Sequence, residues 1–171
     1  MLRHRGRTPA NPCPRAEERV KDRLPAPTAC PNCGSGVELT QNSAVYGGRL
    51  YGAWPWIYRC VDTECDSRVG LHPGTAIPLG TLANAATRDA RNRAKARFEA
   101  FWRGEARSMT RVEAYAALAR ELGIPVSECH FGWFDGAMCE RAEAACRIIE
   151  DKKNRKGLMG RALAKAGITK H

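Results

Sequence analysis

The chain has 171 residues and a formal net charge of +10, a length that suits one domain, or one domain with a small module. No apolar run approaches the roughly eighteen residues that span a bilayer, so a membrane partner is not expected. The start, Met1-Leu-Arg-His-Arg-Gly-Arg7, has no apolar stretch behind it, so it does not read as an export signal, and a reducing cytoplasm with free thiols is the expected setting.

Residues 1–28 are basic and Pro-rich (Pro9, Pro12, Pro14, Pro25, Pro27). They read as a disordered arm, with a short helix near Ala16–Arg23. Residues 29–80 read as a small metal-stapled module and its loop. Cys30-Pro-Asn-Cys33 is followed, after 26 residues, by Cys60-Val-Asp-Thr-Glu-Cys65. Two close cysteine pairs with a long spacer are the signature of a four-thiolate zinc site, since each short pair turns two sulfurs onto one ion. Strand-like segments, Gly36–Thr40 and Trp54–Arg59, flank the turn residues Tyr46-Gly-Gly48. This predicts a zinc ribbon built on a small antiparallel sheet. His72-Pro-Gly-Thr-Ala-Ile-Pro-Leu-Gly80 reads as a loop.

Residues 81–150 read as helical. Ala90, Ala94, Phe98 and Phe101 form one stripe of a helix from about Leu82 to Trp102. Thr110 with Glu113 is a capping box that opens a second helix. Tyr115, Leu118, Ala119 and Leu122 are its apolar face, and Gly123 ends it. Asp135 is placed to cap a third helix with Met138, Ala142, Ala145 and Ile149 on its buried side. Gly157 is expected to interrupt it before a short basic helix over 158–166, within a basic tail, 151–171. The fold class is α+β: a four-cysteine ribbon followed by three or four packed helices.

Charge is segregated along the chain. Residues 1–29 carry seven Lys/Arg against three acids, residues 30–87 three against four, and residues 88–111 eight against three. Residues 112–149 carry three against six, and residues 150–171 seven against two. A near-neutral ribbon between basic segments is the pattern expected of a nucleic-acid partner, DNA or RNA, because each cation near a phosphate releases a counterion. The cations placed on that surface are Arg88, Arg91, Arg93, Lys95 and Arg97, with Lys152, Lys153, Arg155 and Lys156 of the tail. Trp54, Trp56 and Tyr58 alternate and share one strand face, adding to Tyr46 and Tyr51. Exposed, that face would stack on bases or dock a protein; buried, it would pack the ribbon.

A closed four-thiolate site leaves no position for water, so the zinc is expected to be structural. Cys129, His130, Cys139 and Cys146 are candidates for a second zinc, although buried cysteine is also a common core residue. His72, with His130 and Asp135 further on, is the basis for an enzyme reading. No paired-acid metal motif, phosphate loop or nucleophile elbow accompanies it, so no catalytic residue is assigned. His72 is placed instead with the binding residues.

A run of motifs carries a family resemblance: Pro27-Thr-Ala-Cys-Pro-Asn-Cys-Gly34, Tyr46-Gly47, Tyr51-Gly52, Trp54-Pro55, His72-Pro-Gly-Thr75 and Pro78-Leu-Gly-Thr-Leu82. It continues through Ala90-Arg91, Phe98 to Trp102, Met109-Thr-Arg111, Ala114-Tyr115, Leu122-Gly-Ile124 and Cys129-His-Phe-Gly-Trp-Phe-Asp135. Over roughly residues 27–150 the chain resembles a family of small zinc-finger-containing proteins of bacteriophages and prophages. The resemblance implies Cys30, Cys33, Cys60 and Cys65 as finger ligands and a phage-encoded protein acting in the bacterial cytoplasm, with no established activity. The chain departs from the family pattern at Ser67-Arg68 and Lys95-Ala96. The function expected is nucleic-acid binding. The alternative is a protein-interaction factor that binds and modulates a host polymerase, nuclease or defence complex; the third reading is a nuclease.

Overall fold

A computed structural model describes residues 6–105 and 107–165, and side chains as far as Arg155 together with that of Leu158. The elements are α1 (Pro14–Glu17), β1 (Val37–Gln41), β2 (Trp56–Cys60), β3 (Arg68–Gly70), α2 (Ala85–Glu99), α3 (Arg111–Leu122) and α4 (Gly136–Lys165). Short 3-10 turns lie at Asn42–Val45 and Val126–Glu128. The chain forms two compact units. Among the described residues, one takes in those up to Asp89 together with Gly132–Asp135, and the other those of Ala90–Phe131 and from Gly136 to Lys165.

The first unit holds a three-stranded antiparallel sheet in the order β1-β2-β3. Its register sets Val37 opposite Cys60 and Gln41 opposite Trp56, and Ile57 opposite Gly70 on the other side. The two expected strands are present; β3 is additional, and three residues are too few to show alternation. The core gathers Cys30, Tyr58, Cys60, Val69, Leu71 and Leu82, with Val37, Trp54, Trp56 and Cys65 packed against it. The expected boundary at residues 80–81 shifts to Asp89–Ala90, because residues 81–89 continue the ribbon. Arg68 and Ala83 exchange backbone hydrogen bonds of 3.1 and 3.2 Å, and the Arg88 guanidinium meets Asp66 at 2.6 Å. At Gly80 the backbones touch: a Cβ there would lie 2.1 Å from the Gly132 oxygen, and the Thr81 N–H donates to that same oxygen at 2.9 Å.

The arm read from composition as disordered is held on this unit over residues 6–28. The Cys13 N–H donates to the Gly74 carbonyl (2.8 Å), Val20 is buried, and the helix runs Pro14–Glu17 rather than Ala16–Arg23. Pro14 stands at the first turn, where the missing N–H costs nothing. Residues 1–5 lie outside the described residues.

In the second unit Phe98 of α2 is enclosed by rings: Tyr115 at 4.7 Å, Phe131 at 5.2 Å and Phe101 at 6.3 Å between centroids. The Thr110–Glu113 capping box forms as expected, and Gly123 closes α3 in the left-handed region at φ 70°. Ala142, Ala145 and Ile149 are buried on α4 as expected, and Met138 is half-buried. Gly157 does not interrupt α4, which continues to Lys165. An isolated helix glycine costs about 1 kcal/mol, which good helix formers on both sides offset. Residues 166–171 lie outside the described residues.

Candidate metal centre and binding surfaces

Two backbone knuckles bring the four ribbon cysteines together. In the first, the Cys30 N–H donates to the Ser35 carbonyl (2.8 Å) and the Gly34 N–H returns to the Cys30 carbonyl (2.9 Å), with Gly34 at φ 78°. In the second, the Cys60 N–H donates to the Ser67 carbonyl (2.9 Å), the Cys65 N–H to the Asp62 carbonyl (3.2 Å), and the Glu64 N–H to the Asp62 carboxylate (3.0 Å). The sulfurs of Cys30, Cys33, Cys60 and Cys65 all lie within 4.8 Å of one another. Cys30 to Cys65 is 3.7 Å and Cys33 to Cys60 is 3.4 Å. A tetrahedron with metal–sulfur bonds of about 2.3 Å has sulfur–sulfur edges of about 3.8 Å. The arrangement therefore fits one tetrahedral ion with no position left open. All eight cysteines are free thiols.

The site's electrostatics call for a cation. Burial pushes the Cys30 thiol up, but the backbone N–H groups of Asn32 and Cys33, with Ser67 and Cys65, bring it down to about 6. Burial, together with the neighbouring thiols, drives Cys60 up to about 12. Hydrogen bonds from Ser35 and the Cys60 thiol hold Cys33 below the ordinary thiol range as well. The cluster therefore favours thiolate at Cys30 and Cys33 and disfavours it at Cys60, and a divalent ion would offset the charge of four thiolates. Ser67 is buried beside the ligands, with its hydroxyl 3.2 Å from the Cys65 sulfur and accepting from the Asn32 amide at 2.8 Å.

The ribbon aromatics resolve towards packing. Tyr58 is buried, and Trp54 and Trp56 are half-buried against the core. Their polar tips hold the His72–Gly80 loop: the Trp54 indole N–H donates to the Thr75 carbonyl (3.1 Å) and the Tyr58 hydroxyl to the Ala76 carbonyl (3.0 Å). Thr75, fully buried, donates its hydroxyl to the His72 carbonyl and accepts from the Ile77 N–H. Trp54 and Tyr58 thus hold the ribbon and its loop together, and Trp56 packs on the core, rather than offering an open stacking face. His72 is half-buried, and burial lowers its pKa. The exposed ribbon aromatics are Tyr46 and Tyr51.

The second metal set does not assemble. Cys129, Cys139 and Cys146 are fully buried, and the ribbon cysteines are the only such group at metal-holding separations among the described residues, so His130 joins no ligand set. Burial pushes Cys129 up to about 11 and Cys146 up to about 12. As protonated thiols they serve as small apolar core residues of the second unit.

The cations of α2 are largely paired. Arg88 meets Asp66 at 2.6 Å, Arg93 meets Glu143 at 3.8 Å, Lys95 meets Glu99 at 4.0 Å and Arg97 meets Glu150 at 2.6 Å. Arg91 is half-buried, and Lys152 meets Glu121 at 2.6 Å. Lys153 and Arg155 are exposed, and the Lys156 side chain lies outside the described ones. The formal count of +5 over residues 88–111 therefore overstates the field of this helix.

Exposed cations without a carboxylate partner among the described residues gather elsewhere in the second unit. A cleft of about 540 Å³ is lined by Trp102, Arg107, Ser108, Met109, Thr110, Arg111 and Glu113. The Arg103 and Arg111 guanidiniums lie 4.7 and 5.4 Å from the Trp102 ring, and its buried indole N–H has no acceptor among the described residues. A second cleft of about 420 Å³ has Met109, Ala117 and Ile149 at its apolar wall and Arg120, Lys153 and Arg155 around it, together with the Lys152–Glu121 pair. Met109 lines both. Arg107, Arg111 and Arg120 have no acid three or four residues away, unlike Lys95 and Arg103, which share Glu99. That spacing alone does not single them out in the sequence, since Arg88 and Arg97 share it and are paired with Asp66 and Glu150, both distant along the chain.

A family model described as a zinc-finger-containing domain matches residues 26–152, most of the chain. No curated protein and no solved structure matches it. Among the described residues no helix is long and apolar enough to cross a membrane.

Proposed function

The chain belongs to this family of zinc-finger-containing domains, and we propose that it is a nucleic-acid-binding protein whose ribbon is ordered by one structural zinc. Zinc suits four thiolates in a closed tetrahedron, and such a site contributes folding energy rather than chemistry. Chain and metal divide the work: the ion fixes the ribbon, and cations elsewhere meet phosphate. The observation that carries the binding reading is the set of exposed cations, Arg107, Arg111, Arg120, Lys153 and Arg155, around two clefts that share Met109. A guanidinium without a partner is available to a phosphate oxygen and releases a counterion when it binds. The sequence resemblance adds a phage origin and the bacterial cytoplasm as the setting.

The test is fluorescence anisotropy with labelled single- and double-stranded DNA and RNA across a salt series. Affinity that falls steeply with salt is expected; no binding at low salt overturns the reading. The apolar wall of Met109, Ala117 and Ile149 favours a second reading, docking of a host protein that carries an apolar side chain and acidic groups. A pull-down from bacterial lysate with and without nuclease separates the two: a partner retained after nuclease treatment is a protein contact.

A further inference from the structure

We propose that the connection between β1 and β2 is a base-stacking platform that gives the protein a preference for single-stranded over duplex nucleic acid; the proposal rests on the nucleic-acid reading above. Tyr46 and Tyr51 are 43% and 52% exposed, while Trp54, Trp56 and Tyr58 of the same ribbon are packed. The two exposed rings meet edge to face, with centroids 5.1 Å apart and planes at 73°. Leu50 between them is 56% exposed.

The segment that carries them is braced. The buried Asn42 amide donates to the Tyr51 carbonyl (2.8 Å) and accepts from the Tyr51 N–H (3.1 Å), as a neighbouring strand would. The Gly48 N–H donates to the Ser43 carbonyl (3.0 Å) and the Arg49 N–H to the Tyr46 carbonyl (3.2 Å). Gly48 sits at φ 84°, a conformation that side chains resist. The rings are thus positioned before any ligand arrives, which lowers the ordering cost of binding.

The surroundings fit a nucleotide. The Arg68 guanidinium lies 5.4 Å from the Tyr46 ring centre, and Arg49 is exposed in the same loop. Arg59 and Arg68 also line a cleft of about 330 Å³ with Ala44 and Val45 of the turn before Tyr46. Two of the acids nearby are paired, Glu38 with Arg59 at 2.6 Å and Asp66 with Arg88 at 2.6 Å and Arg68 at 3.8 Å, while Asp62, which accepts from the Glu64 N–H, and the exposed Glu64 keep their charge. Such a surface supplies little long-range attraction and an open aromatic face. It discriminates by stacking, which unpaired bases offer and the stacked interior of a duplex does not.

The test uses the full-length, zinc-loaded protein and three labelled probes of about 20 nucleotides per strand: oligothymidylate, an abasic strand with the same number of phosphates, and a duplex. The wild type is expected to bind oligothymidylate about tenfold or more tighter than the abasic strand, at about tenfold per stacked base. Tyr46→Ser with Tyr51→Ser should erase that preference while leaving abasic and duplex binding unchanged, and Tyr46→Phe with Tyr51→Phe should keep it. Zinc content and circular dichroism confirm that each variant is folded. If the wild type binds none of the probes, the nucleic-acid reading itself fails. If it binds all three alike, or if the serine variant keeps the preference, the platform is overturned and the broader reading stands.

Discussion

Alanine substitutions of cations at two sets of positions separate a charge that is present from a charge that is available. Five exposed cations surround the Met109 clefts: Arg107, Arg111, Arg120, Lys153 and Arg155. If each meets one duplex phosphate, the slope of log affinity against log salt is about −4.5, at about −0.9 per contact. Between 50 and 200 mM salt, a factor of four, affinity then falls about 500-fold. Arg107→Ala or Arg120→Ala should each flatten the slope by about 0.9, and both together by about 1.8. Arg93→Ala and Lys95→Ala, which remove cations already facing Glu143 and Glu99, should leave the slope within about 0.3 of wild type, because a paired cation has little counterion atmosphere to release. Anisotropy titrations at four or five salt concentrations read each slope. The opposite result, with the α2 variants flattening the slope and the cleft variants leaving it alone, would refute the claim that internal pairing decides which cations bind.

Three further outcomes test the scaffold. Metal analysis should find one zinc per chain; Cys33→Ser should release it and shift the Trp54 and Trp56 emission to the red as the ribbon unfolds, whereas Cys129→Ala keeps the zinc, and two zinc ions per chain would contradict the core assignment of Cys129, Cys139 and Cys146. Gly80→Ala sets a methyl group 2.1 Å from the Gly132 oxygen and strains the Thr81 N–H bond to it, so a loss of about 2–4 kcal/mol is expected in urea unfolding; unchanged stability would mean that the two backbones do not touch. Tyr58→Phe leaves the Ala76 carbonyl without its donor, at about 1–2 kcal/mol. Burial also raises the Tyr58 pKa above the ordinary value of about 10. The unfolded chain therefore loses this proton first, so stability should fall as pH rises through that ordinary value, and the phenylalanine variant should show a shallower alkaline limb.

What was legible in the sequence was local. The cysteine spacings fix two knuckles, and each is closed by hydrogen bonds spanning seven residues or fewer, from Cys30 N–H to Ser35, from Cys60 N–H to Ser67 and from Cys65 N–H to Asp62. Thr110 and Glu113 satisfy each other within one turn, and Gly123 ends the same helix. These signals survive because no distant residue is needed to complete them. The misses that bear on the site depend on partners far along the chain, whereas Gly157 inside α4 and the bounds of α1 are local ones. Arg93 and Arg97 find Glu143 and Glu150, about fifty residues away, so a helix that counts as strongly basic is electrostatically muted. The alternation of Trp54, Trp56 and Tyr58 marks one face of a strand but not what covers it; the answer lies in the carbonyls of Thr75 and Ala76. The same applies to Gly80, an ordinary loop glycine until Gly132 is brought against it.

These long-range contacts bear on what the zinc supports. The ribbon core includes two of the ligands, Cys30 and Cys60, in the same cluster as Tyr58, Leu71 and Leu82. Tyr58 in turn holds the Ala76 carbonyl, and Asn42 at the far end of the β1–β2 connection holds Tyr51. Loss of a metal held by the four cysteines would therefore reach beyond the knuckles: the strands that carry Tyr58 and position Asn42 would lose their frame, and both the His72–Gly80 loop and the exposed tyrosine pair would lose their anchors. A ribbon this small buries too little apolar surface to hold those loops unaided. The four thiolates are thus coupled through packing to the tyrosine pair proposed as a stacking platform, although no cysteine sulfur touches those rings.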